Sequence, residues 1–248
     1  MNRRFTPRSA RLYALLLVFL SLGARADLTV VGTRFIYPAG LPALSIRVGN
    51  QGLAPLLLQA WLDRGDASVD PSALQVPFIL SPPLSRLDPQ QRATLSVRYS
   101  GEPLPADRES LFWLNLLEVP SLQAVSGNQL RMSYRLRMKL LYRPEGLAGH
   151  ADEAVRQLCW QLHGAGQTAG ELQLKASNPT PYHVSLAQLH VLGGGAEVRL
   201  EGITLEPLGS TLIALPGLRS LAASTAQVHY QVATDSGEML SGSAAIQP

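Results

Sequence analysis

The segment Gln129-Leu130-Arg131-Met132-Ser133-Tyr134-Arg135-Leu136-Arg137-Met138-Lys139-Leu140 places apolar side chains at 130, 132, 134, 136 and 138, and every intervening residue through 139 is polar. Successive side chains of a β-strand point to opposite faces. The segment, continued to Leu141, therefore predicts a strand with one long apolar row, Leu130, Met132, Tyr134, Leu136 and Met138. Arg131, Arg135, Arg137 and Lys139 make a basic row on the other face. Two roles fit. The apolar row can pack into the strand's own sandwich, as most alternating strands do. It can instead lie at a sheet edge and offer its backbone and apolar row to another chain by β-augmentation, with the basic row discouraging self-pairing. Periodicity alone does not choose between them.

The rest of the chain has the same character. Short apolar or alternating runs recur between Gly, Pro, Asn and Asp clusters, and few stretches hold a 3.6-residue period, which predicts an all-β sandwich or barrel. Upstream strands are expected at Leu28–Tyr37, Ala43–Val48, Leu56–Leu62, Ala93–Tyr99 and Leu111–Val119. Turn chemistry separates them at Pro38-Ala39-Gly40, Gly49-Asn50-Gln51-Gly52, Ser81-Pro82-Pro83 and Ser126-Gly127-Asn128. Downstream, strand-like runs fall at Leu158–Leu162, Glu171–Ala176, His183–Leu192, Ala196–Leu200, Thr211–Leu215, Ala226–Val232 and Glu238–Ile246, with Asp152–Leu158 open to a short helix. The stretch from Arg143 to His150 carries Pro144, Gly146 and Gly149 and no apolar run, so it reads as a linker between two domains, 27–145 and 146–248.

Residues 1–26 form a cleavable secretory signal in this reading. Arg3, Arg4, Arg8 and Arg11 precede the apolar run Leu12–Leu22, and Ala24-Arg25-Ala26 supplies an A-x-A site before Asp27. The apolar run is about half the roughly 20 residues a membrane helix needs, so a membrane-spanning protein is not expected. The leader holds five of the 21 basic residues and no acidic one, leaving 222 residues with 16 basic and 18 acidic, a net of −2. That balance removes the basis for a nucleic-acid footprint. The single cysteine, Cys159, permits no internal disulfide and is expected to be buried beside Trp160.

Motifs for chemistry are absent. The histidines His150, His163, His183, His190 and His229 fall on five segments without ligand spacing, so no metal site is expected. No G-x-S-x-G elbow, Walker loop or dinucleotide fingerprint occurs, so no catalytic residue and no cofactor are assigned. Asp152 and Glu153, and the group Asp63, Asp66 and Asp70, are expected to be solvated.

A series of stretches resembles the PapD-like periplasmic chaperones of the chaperone-usher pilus pathway. They are Thr33-Arg34-Phe35-Ile36-Tyr37-Pro38, Gln59-Ala60-Trp61-Leu62-Asp63, Pro77-Phe78 with Pro82-Pro83 and Arg86-Leu87, and the run Leu104 to Asn115. Glu118-Val119-Pro120, Lys139-Leu140-Leu141-Tyr142-Arg143-Pro144 and Asn178-Pro179-Thr180-Pro181-Tyr182 continue the series in the same order. The resemblance implies two immunoglobulin-like sandwiches in an L or boomerang arrangement, no enzymatic activity and no nucleotide. It also implies that Leu130, Met132, Tyr134 and Leu136 face the groove of a pilus or fimbrial subunit lacking its final strand. Arg34 and Lys139 would grip the subunit's C-terminal carboxylate, and Arg98, Glu109, Arg143 and Asp235 would form a charged network between the domains. The implied partners are pilus subunits and an outer-membrane usher, with weak self-association of the free protein. The short connection Ser121 to Asn128 resembles the short-loop subfamily, while Leu141 and Tyr134 depart from the residues usual at their places. The alternative is a secreted structural pilus subunit or adhesin, which would share the export signal and the all-β pattern.

Overall fold

The computed structural model describes residues 27–121, 132–163, 172–218, 221 and 226–247. The expected leader, and Leu130 and Arg131 at the start of the alternating segment, lie outside the described residues. Within them the fold is all-β, as the periodicity predicts, with two separate hydrophobic cores.

The first core is built by nine strands: β1 (Leu28–Val30), β2 (Arg34–Pro38), β3 (Leu44–Asn50), β4 (Leu56–Asp63), β5 (Phe78–Ser81), β6 (Leu84–Leu87), β7 (Arg92–Tyr99), β8 (Ser110–Pro120) and β9 (Tyr134–Arg143). They form two sheets, β1-β3-β7-β5 and β2-β9-β8-β4-β6. Alternate residues of both sheets, among them Ile46, Leu58, Leu95, Leu114, Leu116 and Leu140, fill the space between them and are fully buried. The second core, from Ala154 to Ile246, lies between sheets β10-β11-β14 and β13-β12-β15-β16. Its strands are β10 (Cys159–His163), β11 (Gln173–Asn178), β12 (Val184–Gly193), β13 (Ala196–Leu205), β14 (Gly209–Ala214), β15 (Gln227–Ala233) and β16 (Met239–Ala245). Ahead of β10 in the chain, α1 (Ala151–Ala154) is continued by a single 3-10 turn, Val155–Gln157, where the sequence leaves room for a short helix, and Ala154 and Val155 join the second core.

Three local readings are corrected. The expected strand Leu28–Tyr37 is two strands in different sheets, because Gly32 takes φ +114° and lets the chain cross from one sheet to the other. No strand is expected between Leu62 and Ala93, yet β5 and β6 flank the Ser81-Pro82-Pro83 turn; each is only four residues long, too short to show a period of two beside the prolines. Cys159 is exposed rather than buried. Its neighbour Trp160 takes the inward face of β10, and strand alternation then sends Cys159 outward.

Candidate functional site

The order β2-β9-β8 sets the geometry. β8 pairs antiparallel with β9 along Tyr134–Tyr142, whereas β2 pairs parallel with β9 only from Lys139 to Arg143. Tyr134–Met138 thus has a strand partner on one side and, among the described residues, an open edge on the other. Its apolar row changes environment along the same length. Leu140 is 0% exposed and belongs to the first core, Leu136 and Met138 pack partly against it, and Tyr134 and Met132 are 50% and 54% exposed. The row continues past the core that would be needed to bury it.

Where the open edge ends, two cations meet. Arg34 and Lys139 are direct partners in the parallel register, on the face turned away from the first core. The Lys139 ammonium reaches the second body, donating to Ser185 Oγ at 2.7 Å and Thr204 Oγ1 at 2.5 Å. Burial, and then the neighbouring Arg34 charge, lower its pKa to about 8. Burial also lowers the pKa of the Arg34 guanidinium, although Asp235, Glu109 and Asp152 pull it the other way. Neither cation has a carboxylate within salt-bridge distance among the described residues. Two half-buried positive charges thus lie side by side, Lys139 with hydroxyl partners and neither with a paired carboxylate among the described residues.

Beside them the two bodies are joined through Glu109. Its Oε1 accepts Arg143 Nε at 2.7 Å and lies 2.6 Å from Arg143 Nη2. Its Oε2 accepts the His183 backbone N–H at 2.8 Å, with His183 Nδ1 at 3.5 Å. Arg143 Nη1 pairs with Asp235 at 2.7 Å, and Glu109 N–H donates to Pro181 O at 2.9 Å. Burial works to raise the Glu109 pKa, but the contacts from His183 and Arg143 outweigh it and hold the carboxyl below its ordinary value. Glu109, Arg143 and Asp235 are therefore brought together, whereas Arg98, expected with them, is not. It lies on β7 opposite Ile79, in the sheet across the core, exposed and without an ion pair among the described residues.

Sequence reasoning missed several members. Ser185 and Thr204 sit on ordinary-looking strands and gain significance only because folding sets them against Lys139. His183 follows the quoted stretch Asn178 to Tyr182 and could have been suspected from it. Asp63, expected in solvent, is 1% exposed and accepts from Arg137 Nη2 at 2.6 Å and Asn115 Nδ2 at 2.7 Å. It closes β4 on the face that carries Arg135 and Arg137, so the expected basic row is what buries it. His190 and His229, scattered in sequence, are direct cross-strand partners in β12 and β15.

Comparisons with known proteins agree with this architecture. Residues 27–148 match the family model described as pili and flagellar-assembly chaperone, PapD N-terminal domain, and residues 153–244 match pili assembly chaperone PapD, C-terminal domain. The chaperone protein FimB/FhaD of Bordetella pertussis is 42% identical over 214 residues, 84% of this chain and 85% of that protein. The probable fimbrial chaperone YadV of Escherichia coli is 36% identical, over 88% of this chain and 89% of its own length. The crystal structure of YadV superposes with a TM-score of 0.74 at 35% identity, covering 88% of this chain and 99% of that one. A second solved structure, a Salmonella enterica SafA pilin in complex with the SafB chaperone, matches with a TM-score of 0.71 at 26% identity, covering 90% and 98% of the two chains. No helix among the described residues is long and apolar enough to cross a membrane. With two cores in the matching order and relatives named as fimbrial chaperones along nearly their whole length, this chain belongs to the PapD family of pilus-assembly chaperones.

Proposed function

We propose that this protein holds pilus subunits in the periplasm by donor-strand complementation and passes them to an outer-membrane usher, without nucleotide. The observation that carries the reading is β9: an apolar row running from full burial at Leu140 to half exposure at Tyr134 and Met132, along an edge that β2 leaves open. An incomplete subunit sandwich laid on that edge gains backbone pairing from Tyr134–Met138. Its groove would receive Leu130, Met132, Tyr134 and Leu136. Each Å² of apolar surface removed from water contributes about 25 cal/mol.

Arg34 and Lys139 supply the end stop. A subunit's terminal carboxylate offers the one charge they lack, and charge-assisted hydrogen bonds to both would fix the register of the added strand. Glu109, Arg143 and Asp235 would orient the two domains, taken as 27–145 and 146–248, so that the cleft presents both cations. The leader 1–26 would deliver the chain to the periplasm. A structural pilus subunit is the weaker reading, since such a subunit would need a strand from elsewhere, and both cores here are filled by the chain's own strands.

Co-expression with a pilin that lacks its last strand tests this reading. Wild type should protect the pilin and co-purify with it. Arg34→Ala and Lys139→Ala should each weaken the complex about a hundredfold or more, with unchanged circular dichroism. Normal capture by both variants would rule out the carboxylate anchor.

A further inference from the structure

Tyr134–Met138 has β8 as its one strand partner and is extended and in register with it. A set of side-chain contacts also grips its basic face. The Arg135 guanidinium stacks over Trp61, 4.8 Å from the ring centroid, and the Arg137 guanidinium over Trp113 at 4.4 Å. Arg135 donates from Nε and Nη2 to Asn115 Oδ1 at 2.9 and 2.6 Å, and from Nη1 to Ala67 O at 2.9 Å. Arg137 donates from Nη2 to Asp63 Oδ1 and to Gly65 O, both at 2.6 Å. Asp63 Oδ1 also accepts Gly65 N–H at 2.7 Å, so the β4 end, the loop after it and β9 are tied through one buried carboxylate. Trp113 is shared further, since the Lys139 ammonium lies 5.6 Å from its centroid.

From this geometry we infer that Asp63, Asn115 and the guanidinium groups of Arg135 and Arg137 form a clamp that holds the donor half of β9 extended before a subunit arrives. The inference rests on the donor-strand reading and adds positioning residues to it. All of these groups lie on the face opposite the apolar row. The clamp therefore grips the strand without covering the side chains or the backbone edge that a subunit would use. The ordering cost of the strand then falls on folding instead of on association, which speeds capture. Planarity matters, because a guanidinium can lie flat on an indole while its in-plane N–H groups reach two acceptors, a rigid fork that the compact ammonium of a lysine does not reproduce.

Amide hydrogen exchange of the free full chain tests the clamp. Arg137→Met and Arg135→Met should each raise exchange within Tyr134–Met138 by roughly ten- to a hundredfold, the loss of a charge-assisted hydrogen bond read as a local opening. Exchange in β3 and β7, in the opposite sheet, should stay as in wild type. Arg137→Lys should restore little of the protection, and pilin capture should slow in proportion to the local loosening. Should Arg137→Met not fold, Arg135→Met, which touches a more exposed guanidinium, gives the same readout. Unchanged exchange at Tyr134–Met138 overturns the clamp, as does a rise spread evenly over both sheets. Local loosening with an undiminished capture rate would leave the clamp standing and count against the donor-strand reading itself.

Discussion

Arg34 and Lys139 stand side by side where β2 runs parallel to β9, and Lys139 reaches across to the second body through Ser185 and Thr204. Neighbouring like charges in a half-buried cleft are costly until an anion joins them. That cost is the source of the binding energy proposed here and also makes it depend on pH.

The free-state pKa of Lys139 is lowered to about 8, first by burial and then by Arg34. A subunit carboxylate needs the protonated amine. Capture should therefore be constant below about pH 7 and weaken as pH rises through 8, by at most about tenfold per pH unit. The terminal carboxylate stays ionised throughout, so the slope belongs to the lysine. Lys139→Arg, charged over the whole range, should flatten the profile; affinity measured from pH 6.5 to 9.5 decides it.

Tyr134 separates binding from stability because its side chain is half exposed in the free protein. Tyr134→Asp should shift the melting temperature by no more than about 2 °C. It should weaken pilin binding by about 1.5–3 kcal/mol, the value of one large apolar side chain in a groove. Tyr134→Leu should retain most of the affinity. Titration calorimetry against a pilin, beside thermal melts, measures both.

Glu109 touches β9 through Arg143 and the second body through His183. Glu109→Ala leaves Arg143 with Asp235 as its remaining partner and should cost about 1.5–3 kcal/mol in stability. If Glu109 orients the domains, small-angle scattering of the folded variant should also show a broader spread of interdomain distances. A wild-type scattering profile would remove the orienting role.

Asp63 carries an acid-sensitive share of stability. Burial acts to raise its pKa, but hydrogen bonds from Arg137, Asn115 and Gly65 prevail and lower it below the ordinary value. The folded pKa lies below the unfolded one, so the contribution is complete above about pH 4 and lost as pH falls through the folded value. Asp63→Asn should therefore destabilise the protein at pH 7, and the difference from wild type should shrink below about pH 4. Urea melts at pH 7, 4 and 3 test the trend.

Much of this was legible in the sequence. Alternation at Tyr134–Met138 identified the strand and the two faces it would present, and turn chemistry separated most of the others. Residues 28–37 were harder, because a strand that changes sheets keeps its alternating pattern and only Gly32 marks the crossing. Arg98 misled for a related reason: a charged residue on a strand carries no record of which sheet that strand will join.

What the sequence determined by itself was which side chains share a face, since a period of two is a local property of extended backbone. The resemblance added Arg34 and Lys139 as a pair. Only the tertiary structure decided that β2 covers β9 from Lys139 onward and stops there, leaving an apolar row half buried and half bare. It also decided that Asp63 would be buried under Arg137, 74 residues away along the chain. Pairing and burial depend on strands distant in sequence, and no local pattern encodes which strand arrives alongside or how far along it reaches.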